Sequence, residues 1–213
     1  PDMLKLYPTL LVKGSPLSRN PGDFVPYDTE TAANVVADLK EIVPPYVRIQ
    51  RIQRDIPKPQ IIAGVMNSNL RQYARKEMKR RGKKCKCINC RELWRAQIDP
   101  ATAELKEIEY KSSGGTEYFI SYESGSKLLA YLRLRLDDNA TVRELKVTGQ
   151  AADIGKTGSG VQHMGLGSKL MKIAEEKSKD YDKIRVTHGA GTRIYYEKLG
   201  YDLEDYYMTK NLN

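Results

Sequence analysis

Cysteine is scarce in this 213-residue chain: there are three, Cys85, Cys87 and Cys90, all inside one short stretch. Disulfide frameworks need cysteines spread along the chain, so this clustering excludes one and points to a reducing, cytoplasmic setting. Long apolar runs are missing too. The longest, such as "LLAYL" and "IIAGV", fall far short of the ~20 residues a helix needs to cross a bilayer, and no membrane partner is expected. The N-terminus has no basic stretch leading into an apolar one, so it does not read as a leader. It opens at Pro1 without an initiator Met, which reads as a piece of a longer protein. The two histidines, His163 and His188, stand alone and read as structural rather than as catalytic bases. Internal repeats and low-complexity tracts are absent.

What is present is a soluble, globular composition, 40% apolar and 30% charged, long enough for one large domain or two small ones. The net charge of +9 is unevenly placed. Residues 1–100 hold 19 Lys and Arg against 10 Asp and Glu, whereas residues 101–213 hold 17 of each. The excess peaks between Arg71 and Arg95, with 11 basic residues against Glu77 and Glu92. Charge segregated in this way suits a polyanionic partner, although a solvated helix face gives the same pattern.

The spacing predicts a strand over 3–12, a Gly- and Pro-rich loop over 14–26 and a helix over 27–45. Asp28 or Thr29 would cap that helix, Ala33, Val36, Ala37, Leu39 and Val43 would form its apolar stripe, and Pro44-Pro45 would stop it. A strand over 46–57 follows, with Val47, Ile49 and Ile52 inward. Strand, helix, strand reads as one β/α crossover unit. A helix over 67–82, capped by Asn67 or Ser68 and ended by Gly82, has basic residues on most faces and reads as nucleic-acid-facing rather than as a core element. After the cysteines come four strand-like segments, 104–112, 116–123, 127–136 and 141–149. A helix over 164–180, a strand over 183–188, a short helix over 191–199 and a final strand or hairpin over 201–212 complete the chain.

The sharpest motif is "QHMGLGSKLM", Gln162 to Met171. Glycines that follow a strand and open a helix make an anion site, because unpaired N–H groups and the positive end of the helix dipole converge there. Gly165 and Gly167 let the backbone approach a diphosphate with no Cβ in the way. The order of antiparallel meander, Gln-x-x-Gly-x-Gly helix, strand, Tyr-bearing helix and terminal strand resembles the GNAT acetyltransferase superfamily. That resemblance implies an α/β fold with a mixed, mostly antiparallel sheet flanked by helices, and acetyl-CoA as cofactor. "RIQRDIP", "NLRQ", "CKCINCRE", "VRELKV", "VQHMGLGSKLMKIAEEKS" and "GAGTRIYYEKLGYDLEDYYMTK" together resemble the family of Elongator catalytic subunits. Membership would imply a radical S-adenosylmethionine domain joined to a GNAT domain by a cysteine-bearing linker, modifying the wobble uridine of tRNA to 5-carboxymethyluridine. The divisions expected are 1–66 as the end of a radical SAM-type β/α domain, 67–100 as a basic helix and zinc-type linker, and 101–213 as the GNAT domain.

The resemblance also assigns residues. Glu144, Leu145, Lys146 and Val147 match the strand whose backbone pairs with the pantetheine arm, with Lys146 standing where the family has His. Gln162, Gly165, Leu166, Gly167 and Ser168 match the pyrophosphate loop. Tyr195 and Tyr196 match a catalytic Tyr pair, of which Tyr196 is expected to reach the coenzyme, where a phenol could protonate a leaving thiolate. For the tRNA anticodon region the candidates are Arg48, Arg51, Arg54 and Arg71, supported by Lys79, Arg80, Arg81, Lys83 and Lys84. The family's S-adenosylmethionine and [4Fe-4S] cluster need a separate set of cysteines that this chain does not contain, so they belong to a full-length form only. Other Elongator-type subunits or self-association are possible further partners. Two other readings stand beside this one: a protein lysine N-acetyltransferase acting on an acidic partner, and a non-catalytic tRNA-binding module that senses acetyl-CoA.

"CKCINC" suits one tetrahedral ion, Cys85 and Cys87 on one side of a knuckle and Cys90 a turn later. Free thiols among so many cations would be prone to oxidation. Zinc, a reduced metal-free cluster and a redox switch are the three alternatives, and the resemblance implies zinc in a metal-tied hinge.

Overall fold

The computed structural model describes residues 1–93, 98, 102–148 and 165–212. Pro8 breaks the opening apolar run, because proline has no N–H to give to a ladder. The strand expected over 3–12 is therefore two strands, β1 (Met3–Leu6) and β2 (Leu11–Val12). A short helix, α1 (Pro16–Arg19), lies inside the expected loop, where the Ser15 hydroxyl accepts from the Ser18 N–H at 3.1 Å. The chain continues through α2 (Thr29–Ile42), β3 (Arg48–Ile52), β4 (Ile61–Ala63), α3 (Leu70–Arg80) and α4 (Ile88–Arg91). β1 and β3 pair in parallel around the α2 crossover, and β2 pairs antiparallel with β4. Chain contacts group residues 1–91 into one compact unit and residues 92–213 into another.

In the first unit, α2 begins where Asp28 accepts from the Thr31 N–H at 2.7 Å. Its buried face is Ala32, Ala33, Val36, Ala37 and Lys40. Leu39, expected on that stripe, is 37% exposed, while the charged Lys40 goes inside. The helical period explains the exchange: Lys40 is four residues beyond Val36 and shares its face, whereas Leu39 is rotated off it. α3 also differs from expectation. Its basic residues hide a stripe of Leu70, Ala74 and Met78, all buried, and the helix packs on α2 as a core element with one solvated face. Val47, Ile49 and Ile52 point inward as predicted.

The second unit is a mixed α/β fold. β5 (Glu104–Ser112), β6 (Gly115–Ser124), β7 (Lys127–Leu136) and β8 (Ala140–Val147) form an antiparallel meander. After α5 (Leu166–Lys177) the chain enters β9 (Lys183–Thr187), which lies parallel to β8. α6 (Arg193–Glu197) and a hairpin of β10 (Asp202–Glu204) and β11 (Tyr207–Asn211) follow, giving a sheet order β10-β11-β9-β8-β7-β6-β5. Leu166, Leu170, Met171 and Ala174 of α5 bury against Ile120, Leu132, Leu134, Val142, Ile184 and Val186 of the sheet. Among the described residues, no helix is long and apolar enough to cross a membrane.

A knot of charge ties the C-terminal end of α3 to α2. Arg81 donates to Glu77 at 2.7 Å, to Asn34 at 2.9 Å and to Glu41 at 3.5 Å, and it also pairs with Asp38. Hydrogen bonds from Arg80 and then Arg81 hold the Glu77 carboxyl down to about 2, from an ordinary 4.5. A carboxyl lowered on folding stabilises the fold above its unfolded value, and that stabilisation is lost as pH falls through its folded value. Arg81→Met is therefore expected to lower the melting temperature at pH 7. The gap to wild type should narrow as the pH drops below 4.5, as followed by thermal melts at stepwise pH.

Candidate functional site

β8 outruns its parallel partner. The ladder to β9 joins Ala140 with Ile184, Thr141 with Arg185 and Val142 with Val186, and stops there. β8 continues to Val147, paired only with β7. An extra residue, Arg143, sits at a bulge opposite the Arg133/Leu134 step and bends the strand where the two part. The backbone of Glu144, Leu145, Lys146 and Val147 thus has no strand on its β9 side among the described residues. Two of these side chains are turned to other duties. Glu144 accepts from Arg133 Nε at 2.9 Å and from the Tyr131 hydroxyl, and Lys146 pairs with Glu92 at 2.8 Å.

α5 starts beside this opening. Gly165 caps it in the left-handed region, φ 64°, which a glycine adopts without steric cost. The first helical hydrogen bond runs from Lys169 N–H to the Gly165 carbonyl at 3.0 Å, so the N–H groups of Leu166, Gly167 and Ser168 precede the ladder and are free of it. A Cβ on Gly167 would lie 2.7 Å from the Tyr195 hydroxyl and 3.7 Å from Val147 Cγ2. The glycine loop, the free end of β8 and a phenol from α6 therefore meet at one place. Gln162 and His163 lie outside the described residues.

The two tyrosines of α6 occupy different environments. Tyr196 is buried, 5% exposed, edge-on to Tyr195 at 5.1 Å and to Tyr201 at 6.1 Å, and burial pushes its phenol up to about 12. Tyr195 is 37% exposed, and its hydroxyl is the one that reaches Gly167. His188 is half-buried, its Nδ1 within 3.1 Å of the Gly189 carbonyl.

In the first unit the three sulfur atoms of Cys85, Cys87 and Cys90 lie within 4.8 Å of one another. One tetrahedral ion with Zn–S bonds of about 2.3 Å needs its sulfurs roughly 3.8 Å apart, so this donor set fits a single thiophilic ion with small movements. The described residues bring no fourth His, Cys, Asp or Glu ligand atom into the group. The knuckle is pinned by backbone. Ile88 N–H donates to the carbonyl of Val47, the residue before β3, at 3.0 Å, and the buried Arg91 donates to the carbonyls of Lys86 and Pro45, each at 2.8 Å. Hydrogen bonds from Cys85 and Cys87, and then the Lys40 ammonium at 3.4 Å, push the Cys90 thiol far below the usual range. Cys85 goes the other way, held protonated by its hydrogen bonds to Cys87 and Cys90 and by burial. Cys87 is fully buried. Lys40 was not among the sequence candidates; a lysine on the apolar stripe of α2 was the signal that could have found it.

The basic set divides in two. Arg71 donates to Asn89 Oδ1 at 3.0 Å and to the carbonyls of Ile49 and Gln50 at 3.1 and 3.2 Å, so it braces β3. Arg81 is the tie between α3 and α2. Arg48 is half-buried. Arg51, Arg54, Lys79, Arg80, Lys83 and Lys84 face solvent, with Arg51 on Asp55 at 3.1 Å, Arg80 on Glu77 at 2.7 Å and Lys83 at 3.8 Å from Glu41.

A family model described as the Radical_SAM C-terminal domain matches residues 1–80. The whole chain is 42% identical to a protein named tRNA uridine(34) acetyltransferase from Methanocaldococcus jannaschii and covers 44% of it. It is 38% identical to Elongator complex protein 3 of Danio rerio, again over the whole chain and 43% of the relative. Among solved structures, that of the archaeal Methanocaldococcus infernus Elp3 lacking its N-terminus superposes with a TM-score of 0.90 at 40% identity, covering 99% of this chain and 55% of the other. The chain spans about half the length of these curated relatives. Similar from end to end in sequence and in structure, the chain belongs to the family of Elongator complex protein 3 and tRNA uridine(34) acetyltransferase over the part of those proteins that it spans.

Proposed function

We propose that residues 92–213 form a GNAT-type acetyl-CoA-binding domain, and that with residues 1–91 they make up the coenzyme- and tRNA-binding part of an Elongator-type enzyme. That enzyme would convert the wobble uridine of tRNA to 5-carboxymethyluridine. The observation that carries this reading is the convergence of the parted β8 end, the α5 N-terminus and the Tyr195 hydroxyl. Acetyl-CoA, when bound, supplies an activated acetyl thioester. The N–H groups of Leu166, Gly167 and Ser168 suit its pyrophosphate, and the unpaired edge of Glu144–Val147 suits the amides of its pantetheine arm. Tyr195 brings its hydroxyl to the Gly167 end of this groove, where the pyrophosphate would lie. Tyr196, ring to ring with it at 5.1 Å, is the member of the pair that we assign to the reacting end, where a phenol could protonate the leaving thiolate.

The radical step asks for more than this chain holds. All three of its cysteines form the knuckle, so no residue set remains for a [4Fe-4S] cluster, and S-adenosylmethionine chemistry would belong to a longer form. The knuckle itself is the proposed zinc site, its backbone pinned by the Ile88 N–H and by the Arg91 side chain.

Three outcomes test the reading. In acetyl-CoA hydrolysis with and without tRNA, Tyr196→Phe is expected to cut the tRNA-stimulated rate by about a hundredfold, whereas Tyr195→Phe should raise the KM for acetyl-CoA. Peptide acetylation without tRNA would instead favour a protein lysine acetyltransferase. Metal analysis should find one zinc for each chain and markedly less in Cys90→Ser. For tRNA, the solvent-facing basic residues predict a fall in affinity on the order of a hundredfold to a thousandfold between about 50 and 200 mM salt; a flat salt response in a filter-binding titration would sink the basic-face assignment.

A further inference from the structure

α6 runs for only five residues, and no side chain caps its start. A helix that short has little stability of its own, so what aims its tyrosines must come from neighbouring elements. Gly200, at φ 83°, turns the chain back after α6, and the Tyr201 N–H then donates to the Tyr196 carbonyl at 3.1 Å. The same turn sets the Tyr201 ring edge-on to the Tyr196 ring, with centroids 6.1 Å apart and planes at 64°. Among the described residues, the rings that Tyr196 meets are those of Tyr195 and Tyr201.

Tyr201 is 1% exposed, and its far end is tied down. Its hydroxyl donates to Glu175 Oε1 of α5 at 2.9 Å. Lys210 of β11 donates to the same oxygen at 3.0 Å and to the Leu199 carbonyl at 3.2 Å, its ammonium 5.5 Å from the centre of the Tyr201 ring. A helix, a strand and the turn after α6 are thus joined through one carboxylate oxygen. Polar networks whose members are satisfied make one arrangement rigid. α5 is also the helix whose first N–H groups suit the pyrophosphate, so the anchor on Glu175 refers the Tyr196 ring to the coenzyme's own helix. We infer that Tyr201, braced by Glu175 and Lys210, is the positioning residue that holds the Tyr196 ring at the reacting end. It transfers no proton and needs no contact with the coenzyme; it acts through the ring of Tyr196. This inference rests on the assignment of Tyr196 proposed above.

The test is a double-mutant cycle in tRNA-stimulated acetyl-CoA hydrolysis by the 213-residue chain. Tyr201→Phe keeps the ring and removes the hydroxyl. It is expected to lower kcat about tenfold, through misplacement of Tyr196, with the KM for acetyl-CoA little changed. In the Tyr196→Phe background the same substitution should cost nothing further, because the group it aims is gone. A role in packing alone would cost a similar factor in both backgrounds. Lys210→Met, which leaves Tyr201 in place and unbraces Glu175, carries the same cycle should Tyr201→Phe fail to fold. Equal losses in both backgrounds, no loss in either, or a change confined to KM overturns the inference and leaves the Tyr196 assignment standing. If Tyr196→Phe alone leaves the stimulated rate unchanged, or wild type shows no stimulated rate, the assignment and the inference fall together.

Discussion

Three residue pairs of parallel ladder join β8 to β9, and the two strands then part. The chain returns through α5 to run parallel to β8, and the start of α5 falls next to the free end of β8, with Gly167 beside Val147. Backbone N–H and C=O groups left open by this parting are costly unless something polar meets them. In the second unit the bulge at Arg143, the left-handed Gly165 and the reach of Tyr195 all concern the same opening. Among the described residues the rest of the sheet is antiparallel, with one further register shift between β6 and β7 at Tyr122/Glu123, and the bulge in β8 is the irregularity that lies where the family motifs converge.

The first unit is organised by charge placed inside rather than outside. Lys40 under the thiols, Arg91 across the carbonyls of Lys86 and Pro45, and Arg71 on the carbonyls of β3 are cations used as internal braces. Arginine suits this work because its planar fork satisfies several acceptors at once. Part of the basic excess that marks this half of the chain is therefore used inside it, and the surface available to a polyanion includes Arg51, Arg54, Lys79, Arg80, Lys83 and Lys84, with Arg75, Lys76 and Lys86 exposed beside them.

The second unit was the more legible in sequence. Its strands alternate, its turns carry Gly, Ser and Asp, and the glycine pair before an amphipathic helix announces a helix start with a purpose; β5 to β9 and α5 fall where the pattern put them. In the first unit the pattern misled at specific residues. The apolar run around Pro8 has the pattern of one strand and folds as two, and β4, at three residues, is too short to stand out. α3 hid its stripe of Leu70, Ala74 and Met78 behind its charges. Composition could not tell that Arg71 and Arg81 face inward, because a side chain's partner depends on elements 21 to 47 residues away in the chain. The Tyr pair was placed correctly on α6, but adjacent helical residues point about 100° apart, and only the fold decides which hydroxyl is at the groove.

The contact between Gly167 and Tyr195 also constrains how the chain can change. A hydroxyl sits 2.7 Å from where a Cβ would be, so position 167 and position 195 share one volume. Enlarging the first is tolerated only with a smaller or redirected side chain at the second, and the two substitutions together should be milder than their separate effects summed. The two positions, 28 residues apart in the chain, are therefore expected to vary together in homologous sequences.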